Sequence, residues 1–275
     1  VFLKQLRTQF GLDRPLHVQL WLYVKGVAQL DLGFSHRQQR TVASLIAERL
    51  PATLLLTGSA FALAVLAGVA LGAAAARRVG RWTDSAITVL ALCVYATPLF
   101  WIGLMLVLVF SVWLNWLPSF GMATVGAGFA GWDAVVDVAA HLVLPTLTLG
   151  LFYVALYARV TRASMLEVAD LDFVRTARAK GVPEGRVQSR HVLRNALLPV
   201  ITLAGIQAGQ LVGGSILVET VFAWPGIGRL AFEALLARDY QLLLGVFLCT
   251  ATLVVAFNLL TDLLYAAVDP RMEAG

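Results

Sequence analysis

Five long apolar stretches alternate with polar segments along the chain. They cover residues 53–76, 86–114, 136–158, 198–218 and 243–267. A bilayer core about 30 Å thick needs about 20 helical residues to cross it, and a spanning segment must satisfy its own backbone hydrogen bonds. The pattern therefore predicts five transmembrane helices. Pro98 lies inside the second stretch and predicts a kink there, because proline removes one backbone hydrogen bond.

The first 52 residues have a different pattern, with apolar positions at helical spacing on one face only. Asp13-Arg14-Pro15 predicts a helix start, followed by Leu16, Leu20, Trp21 and Val24. Thr41 predicts the start of a second short helix that Pro51 ends. These helices either lie along a membrane surface or pack on the neighbouring domain, and we prefer packing because their polar face has few lysines. The chain thus divides into an extracytoplasmic amphipathic segment, 1–52, and a transmembrane domain, 53–275.

Composition agrees with a multi-pass membrane protein. Hydrophobic residues make up 59% of the chain and charged residues 13%, and the mean hydropathy is +0.80. A soluble domain has about 25% charged residues. Disordered chains, disulfide scaffolds and secreted globules are therefore excluded. Cys93 and Cys249 both lie in apolar stretches, without metal-ligand spacing.

Basic residues are distributed unevenly between the loops. Three arginines lie in loop 77–85 and eight arginines and lysines in loop 159–197, whereas loop 115–135 has none. The positive-inside rule then places loops 77–85 and 159–197 and the C-terminus in the cytoplasm, and residues 1–52 outside. This distribution also explains the net charge of +5 without a nucleic-acid partner. Translocation of 1–52 requires a start, so we expect a sixth transmembrane helix upstream of Val1.

Catalytic motifs are missing from the sequence. It contains no phosphate-binding G-x-x-x-x-G-K-[ST] loop, no H-E-x-x-H and no cysteine–histidine cluster. We therefore predict no catalytic residue, no metal site and no cofactor in this chain.

Small and polar residues recur inside two of the apolar stretches. Glycines at four-residue spacing are Gly68 and Gly72 in the first stretch, and Gly205, Gly209 and Gly213 in the fourth. This spacing lets two helix backbones approach closely, either within the chain or at a subunit interface. Gln207 and Gln210 point away from the glycine face. We predict that they line an aqueous path at an interface between two subunits, and the alternative is that they bond a neighbouring helix.

The segment 164–202 contains a polar helix–turn–helix pattern. A first helix is expected to run to Lys180, with Gly181 as the left-handed residue that follows it. Val182-Pro183 turns the chain, and Glu184 opens a second helix before Pro199 begins the next span. A solvated basic loop gives no reason for such a central turn, so the pattern favours docking of a soluble partner.

This loop resembles the signature of the inner-membrane permease subunits of binding-protein-dependent ABC importers. Arg175, Thr176 and Ala177 take the E-A-A positions of that signature and Gly181 its glycine. Residues 172–181 and 190–199 are closest to the dipeptide/oligopeptide/nickel branch. Further segments with the same likeness are 11–15, 31–35, 48–53, 116–118, 219–229 and 269–271. Arg175 replaces the signature glutamate, so the ion pair of that glutamate does not transfer to this chain.

The resemblance implies an all-α type I ABC importer permease fold and a set of partners. These are a second homologous permease subunit, two ATPase subunits that bind ATP and Mg, an extracytoplasmic substrate-binding protein and the membrane lipid. The residues expected at the ATPase are Arg175, Thr176, Ala177, Lys180, Gly181, Val182, Pro183, Val187, Gln188 and Arg190. Those expected near the binding protein are Trp224, Pro225, Gly226 and Gly228, with Trp224 presented at a rim.

Short peptides are the expected solute, and nickel, a nickel chelate or another small solute such as a glycan fragment remains an alternative within the same machinery. An ion-driven secondary transporter is the alternative of another class. It would need membrane-embedded carboxylates, and only Asp137 and Asp262, both near the ends of their spans, qualify. A membrane enzyme would need a catalytic constellation, and the sequence contains no such motif. The expected location is the bacterial cytoplasmic membrane.

Overall fold

The fold is a bundle of long helices with one short β-hairpin. The structure is a computed structural model that describes residues 15–29 and 31–268, without the side chains at 22, 212, 214, 260–262 and 264–268. The elements are α1 (Leu16–Ala28), β1 (Phe34–Ser35), β2 (Arg40–Thr41), α2 (Val42–Ala76), α3 (Trp82–Ala96), α4 (Leu99–Leu106), α5 (Trp132–Ala169), α6 (Asp172–Ala179), α7 (Glu184–Arg186), α8 (Arg194–Val221), α9 (Ile227–Ala237) and α10 (Tyr240–Val268). Short π-helical stretches, Val107–Trp113 and Val187–Leu193, extend α4 and join α7 to α8.

Within the described residues, four helical segments are long and apolar enough to cross a membrane. They are Val42–Ala76, Trp132–Ala169, Glu184–Leu211 and Tyr240–Leu259. A fifth candidate is the pair formed by α3 and the extended α4, which is bent by 107° at its break. All five predicted stretches therefore fall on these segments. The kink predicted at Pro98 is confirmed, because α3 ends at Ala96 and α4 begins at Leu99.

Helices α2 and α5 pack side by side and run in the same direction. Ser59 bonds Thr146 at 2.8 Å, and a Cβ placed on Gly68 would lie 2.6 Å from the Cβ of Tyr157. Contacts farther along α2 therefore fall farther along α5. Backbones can approach this closely only because Gly68 and Gly72 have no side chain. Both glycines are buried, in keeping with the packing role within the chain that their spacing predicts.

The bent pair α3–α4 crosses the bundle once, in the opposite direction. Near its start Asp84 binds Arg162, farther on Tyr95 stacks on Phe152, and Gly103 then lies beside Thr148. As the residue numbers rise along the pair, those of the partner residues in α5 fall. Because α2 and α5 run in the same direction, the chain between them must cross the bundle from the end of α2 to the start of α5. The pair is therefore one broken span rather than a re-entrant loop.

Helices α8 and α10 also run in opposite directions to each other. Ala196, near the start of α8, packs with Ala73 and Met165 at the ends of α2 and α5. Gly245, near the start of α10, lies against Val42 at the beginning of α2. The five spans thus alternate in direction. We refer to the end with loop 77–81 and residues 170–193 as the basic end, and to the end with residues 31–41 and 222–241 as the opposite end.

Two predicted helix boundaries at prolines are wrong. Pro51 lies inside α2, which continues without a break from Val42 to Ala76. The division predicted between residues 52 and 53 therefore falls within one helix. Pro199 likewise lies inside α8 rather than at its start. An interior proline removes one hydrogen bond at about 3 kcal/mol, and burial of the flanking turns against other helices outweighs this cost.

A β-hairpin anchors the start of α2 at the opposite end. Phe34 pairs with Thr41, and the Thr41 side chain accepts a bond from Ser44 N, so Thr41 is the predicted N-cap. Ser35 donates to the Asp239 carboxylate just before α10. Asp13 and Arg14 lie outside the described residues, but α1 begins at Leu16 as expected. Its predicted apolar positions are exposed, with Leu16 at 82%.

Candidate functional site

The predicted helix–turn–helix is formed by residues 172–193, which we call the loop element. Its first helix, α6, ends in a Schellman motif: Val182 N donates to Ala177 O at 3.2 Å, and Gly181 N donates to Arg178 O at 2.9 Å. Gly181 has φ +78°, the left-handed conformation that the sequence predicted for it. Because only glycine adopts this conformation without cost, Gly181 fixes the angle between the two arms.

A charged bridge closes the turn from the other side. Pro183 caps α7 with its backbone, and Arg178 donates to both oxygens of Glu184 at 3.1 and 3.2 Å. Gln188 donates to the same carboxylate at 2.8 Å. The hydrogen bonds that Arg178 donates to the Glu184 carboxylate raise the pKa of Arg178. The pair is solvent-exposed, so it orients the two arms of the turn but adds little to the free energy of unfolding.

An apolar cluster lies beneath the loop element and joins it to three spans. Its members are Ala73 of α2, Met165 of α5, Val174 and Ala177 of α6, Val187, Val192 and Ala196. Val187 and Val174 are fully buried there. The side chains of Val187 and Ala177 therefore support the element from within and are not presented to a partner. These side chains pack directly against one another, so a displacement of the element would move the span ends.

The outward surface of the loop element is polar and basic. Its exposed predicted residues are Arg175, Thr176, Lys180, Gly181, Pro183 and Arg190, and Val182 and Gln188 are half-buried. A rigid, basic, two-armed projection that packs on three helix ends can receive a protein partner and transmit its movement.

A partly buried ion pair at the same end was not predicted. Arg162 donates to both oxygens of Asp84 at 2.6 and 2.9 Å, and Gly80 N donates to one of them at 3.2 Å. Asp84 is 5% exposed. The pair fixes the tight turn before α3 to the end of α5. Its only sequence signal was one aspartate next to an apolar stretch.

The two glutamines of α8 differ in exposure. Gln210 is exposed, whereas Gln207 is half-buried and its carbonyl oxygen has no hydrogen-bond partner among the described residues. Gly209 packs on α10, where its Cβ would lie 3.1 Å from Val254 Cγ1 and from Asn258 Oδ1. Gly209 and the exposed Gln210 are thus on different sides of α8.

The other two glycines of α8 have different surroundings. Gly205 is buried and lines an apolar cavity of about 280 Å³ between α2, α8 and α10. Gly213 is exposed, and a Cβ added there would meet no described atom within 4 Å, which leaves a subunit interface as the predicted alternative for this glycine. Thr202, Ile206, Gln210, Gly213 and Leu217 together form an open stripe along α8.

The prediction that Trp224 stands at a rim is also wrong. Its side chain is fully buried, and its Nε1 donates to Ala52 O at 2.8 Å. Gly226 and Gly228 are buried, and Pro225 is half-buried. The segment 222–228 folds inward because Trp224 fills the core between α2 and α8.

Glu219 organises this segment, and sequence reasoning missed it. Its carboxylate is fully buried and accepts from Thr53 Oγ1 at 2.8 Å, Ser215 Oγ at 3.0 Å and Arg229 N at 2.9 Å. Thr53 Oγ1 in turn accepts from Ile227 N at 2.8 Å. A Cβ on Gly228 would lie 2.9 Å from the carboxylate, so the glycine makes room for it. The network ties α2, α8 and the start of α9 together.

Two signals for this network were present in the sequence. Thr53 and Glu219 each belong to a segment that resembles the permease branch, but they are 166 positions apart. The fourth predicted span stopped at residue 218, so Glu219 was assigned to a loop. Only the packing of α2 on α8 reveals that the two side chains meet.

Comparison with known proteins gives consistent matches. The family model described as "Binding-protein-dependent transport system inner membrane component" matches residues 68–274. A putative peptide permease protein of Brucella ovis is 45% identical over 269 residues, which cover 98% of this chain and 83% of the relative. The glutathione transport system permease protein GsiC of Salmonella typhi is 44% identical over 268 residues, with the same coverage of both chains.

Solved structures share the fold. A chain of the inward-facing MetNI methionine ABC transporter superposes with a TM-score of 0.64 at 18% identity, covering 82% of this chain and 96% of that one. A chain of an amino acid ABC transporter with histidines gives 0.59 at 16% identity, covering 82% and 94%. The fold is thus that of ABC transporter permeases, as the sequence motifs implied.

Proposed function

Because the chain belongs to the family of inner membrane components of binding-protein-dependent transport systems, we propose that it moves di- or oligopeptides across the bacterial cytoplasmic membrane. The relatives named as peptide permease and as glutathione permease support a peptide-type solute. Nickel or a nickel chelate is the alternative solute for the same fold. Solute choice depends mainly on the binding protein that delivers it.

The loop element is the observation that supports the mechanism. It is a basic projection with a glycine-fixed angle, and it packs on the ends of α2, α5 and α8. Two ATPase subunits would bind ATP and Mg, and one of them would receive this element. Closure of the ATPases would move the element and, through its apolar cluster, the three spans. The chain itself then supplies movement and a path, and no hydrolytic group.

The basic end would then lie in the cytoplasm, with the hairpin, Trp224 and Glu219 towards the outer side. The distribution of arginines supports this orientation. The open stripe of α8 would face the second permease subunit, with Gln210 at the border of the path. An amide side chain both donates and accepts hydrogen bonds, which suits a peptide backbone.

Two substitutions compare backbone strain inside the loop element with the same strain outside it. Gly181→Ala and Gly80→Ala both place a side chain at a positive φ, +78° and +76°, and both positions have open space. Each change costs about 1–2 kcal/mol of backbone strain. Gly181 lies in the loop element and Gly80 lies outside it. Gly185→Ala adds the same methyl in open space within α7, without positive φ.

We expect Gly181→Ala to lower ATP-driven uptake of labelled dialanine and glutathione per ATP hydrolysed by the complete transporter in liposomes. Gly80→Ala and Gly185→Ala should retain the wild-type ratio. Equal ratios for Gly181→Ala and Gly80→Ala would refute the coupling role. Uptake that needs an ion gradient but no ATP would instead favour the secondary transporter.

A further inference from the structure

A crevice runs between α3 and α5 on the outside of the bundle. Its apolar part has a volume of about 150 Å³. The lining residues are Leu71 of α2, Ile87, Leu90, Ala91 and Val94 of α3, and Leu151, Val154, Ala155 and Ala158 of α5. Every one of these side chains is aliphatic, so this part of the crevice suits a hydrocarbon chain.

The crevice continues into a charged chamber towards the basic end. This second cavity, of about 110 Å³, shares Ile87, Ala91 and Ala158 with the apolar part. It adds the side chains of Arg159 and Arg162. The apolar slot therefore leads to a cavity that the side chains of two arginines border.

The two arginines are not equivalent. Arg162 is neutralised by Asp84, at 2.6 Å. Arg159 is exposed, and among the residues that the structure describes no carboxylate lies within ion-pair distance of it. Its guanidinium stacks over the Tyr95 ring at 5.2 Å. Stacking leaves the edge of the guanidinium, with its N–H donors, available to an anion.

The exposed surface around the crevice is typical of one that faces lipid. The outer side of α3 is apolar and exposed, with Val89 at 56%, Leu90 at 65% and Leu92 at 57%. At the basic end Trp82 is 80% exposed, as expected for an aromatic anchor at a membrane interface. On this basis the crevice would open towards hydrocarbon, with its charged chamber towards the lipid headgroups at the basic end.

We propose that this crevice binds one anionic phospholipid, with an acyl chain in the apolar slot and the phosphate on Arg159. The uncompensated charge at the end of a hydrocarbon-lined slot matches the two parts of a phospholipid. Free phosphate would leave the apolar slot empty. The site requires only that the chain spans a membrane, so it is independent of the transported solute.

Lipid retention by the assembled transporter tests the proposal. Native mass spectrometry would count phosphatidylglycerol and phosphatidylcholine bound to the complex after titration with each lipid. Arg159→Gln removes the charge, Arg159→Lys keeps it, and Ala91→Leu fills the slot without changing charge. Arg78→Gln is the control, because Arg78 is an exposed arginine of the same end outside the crevice.

We expect Arg159→Gln to weaken retention of phosphatidylglycerol roughly fivefold, the worth of one basic residue at an anionic surface. Ala91→Leu should weaken it too, whereas Arg159→Lys and Arg78→Gln should retain most of it. Equal retention in wild type and Arg159→Gln would overturn the proposal. Equal binding of phosphatidylcholine, or displacement of the lipid by inorganic phosphate alone, would overturn it as well.

Discussion

Thr53→Val tests whether the buried network around Glu219 holds the opposite end together. Valine has nearly the shape of threonine, but it removes the hydroxyl that donates to Glu219 and accepts from Ile227 N, both at 2.8 Å. Thr53 has no exposed surface, so water cannot replace the lost partner. The change thus isolates two hydrogen bonds with little alteration of packing.

The expected cost follows from what is left unpaired. A buried N–H without an acceptor costs about 1–3 kcal/mol, and a hydrogen bond to a charged group contributes about 1.5–3 kcal/mol. Solvent does not reach the site, so we expect a total of about 3 kcal/mol. Thr57→Val is the matched control one turn later. The Thr57 hydroxyl donates to Thr53 O at 2.8 Å and more weakly to Leu54 O at 3.5 Å, and both carbonyls belong to the same helix, so its loss should cost about 1 kcal/mol.

The assay is the rate of irreversible unfolding of the purified transporter at one fixed temperature. Such inactivation is governed by the unfolding rate. A difference of about 2 kcal/mol makes Thr53→Val unfold roughly 30-fold faster than Thr57→Val. Thr53→Ser, which keeps the hydroxyl, should remain close to Thr57→Val or better. Equal rates for Thr53→Val and Thr57→Val, with no rescue by serine, would refute the reasoning.

In a cysteine-free background, Gln210→Cys should react with a membrane-impermeant thiol reagent, and Gln207→Cys should react less because the Gln207 carbonyl oxygen is buried. No labelling at position 210 in any nucleotide state would contradict the assignment of the path. Asp84→Asn should destabilise the transporter by about 2–3 kcal/mol, since it weakens two charge-assisted bonds from Arg162. The same change in an exposed pair, Glu48→Gln, should cost less than about 1 kcal/mol, and equal thermal inactivation of the two variants would contradict this.

Features that depend on a few neighbouring residues were predicted well. The five spans follow from runs of apolar residues, and the break before Pro98 follows from a missing backbone donor. The helix end at Gly181 follows from its left-handed conformation and its two Schellman bonds. In each case the physical cause lies within one or two helical turns, so the sequence contains all of it.

Proline and tryptophan show where local rules failed. Pro51 and Pro199 were expected at helix boundaries, but the helices continue through both because their flanking turns are packed on other spans. Trp224 was expected at a rim because it lies in a turn-forming segment, but it is the largest fully buried side chain of the described residues. Burial of a large aromatic side chain outweighs the preference of a local segment for the surface.

The sequence by itself determined that this chain crosses a membrane, roughly where it crosses, and that its polar helix–turn–helix resembles that of a permease. These properties depend on hydrophobicity, backbone preference and short motifs. Only the tertiary structure decided that Glu219 meets Thr53, that Asp84 meets Arg162 and that Gly209 faces α10. Side chains tens to hundreds of positions apart become neighbours through helix packing. The resulting contacts depend on which faces of the spans are buried together, and hydropathy along one chain does not specify this.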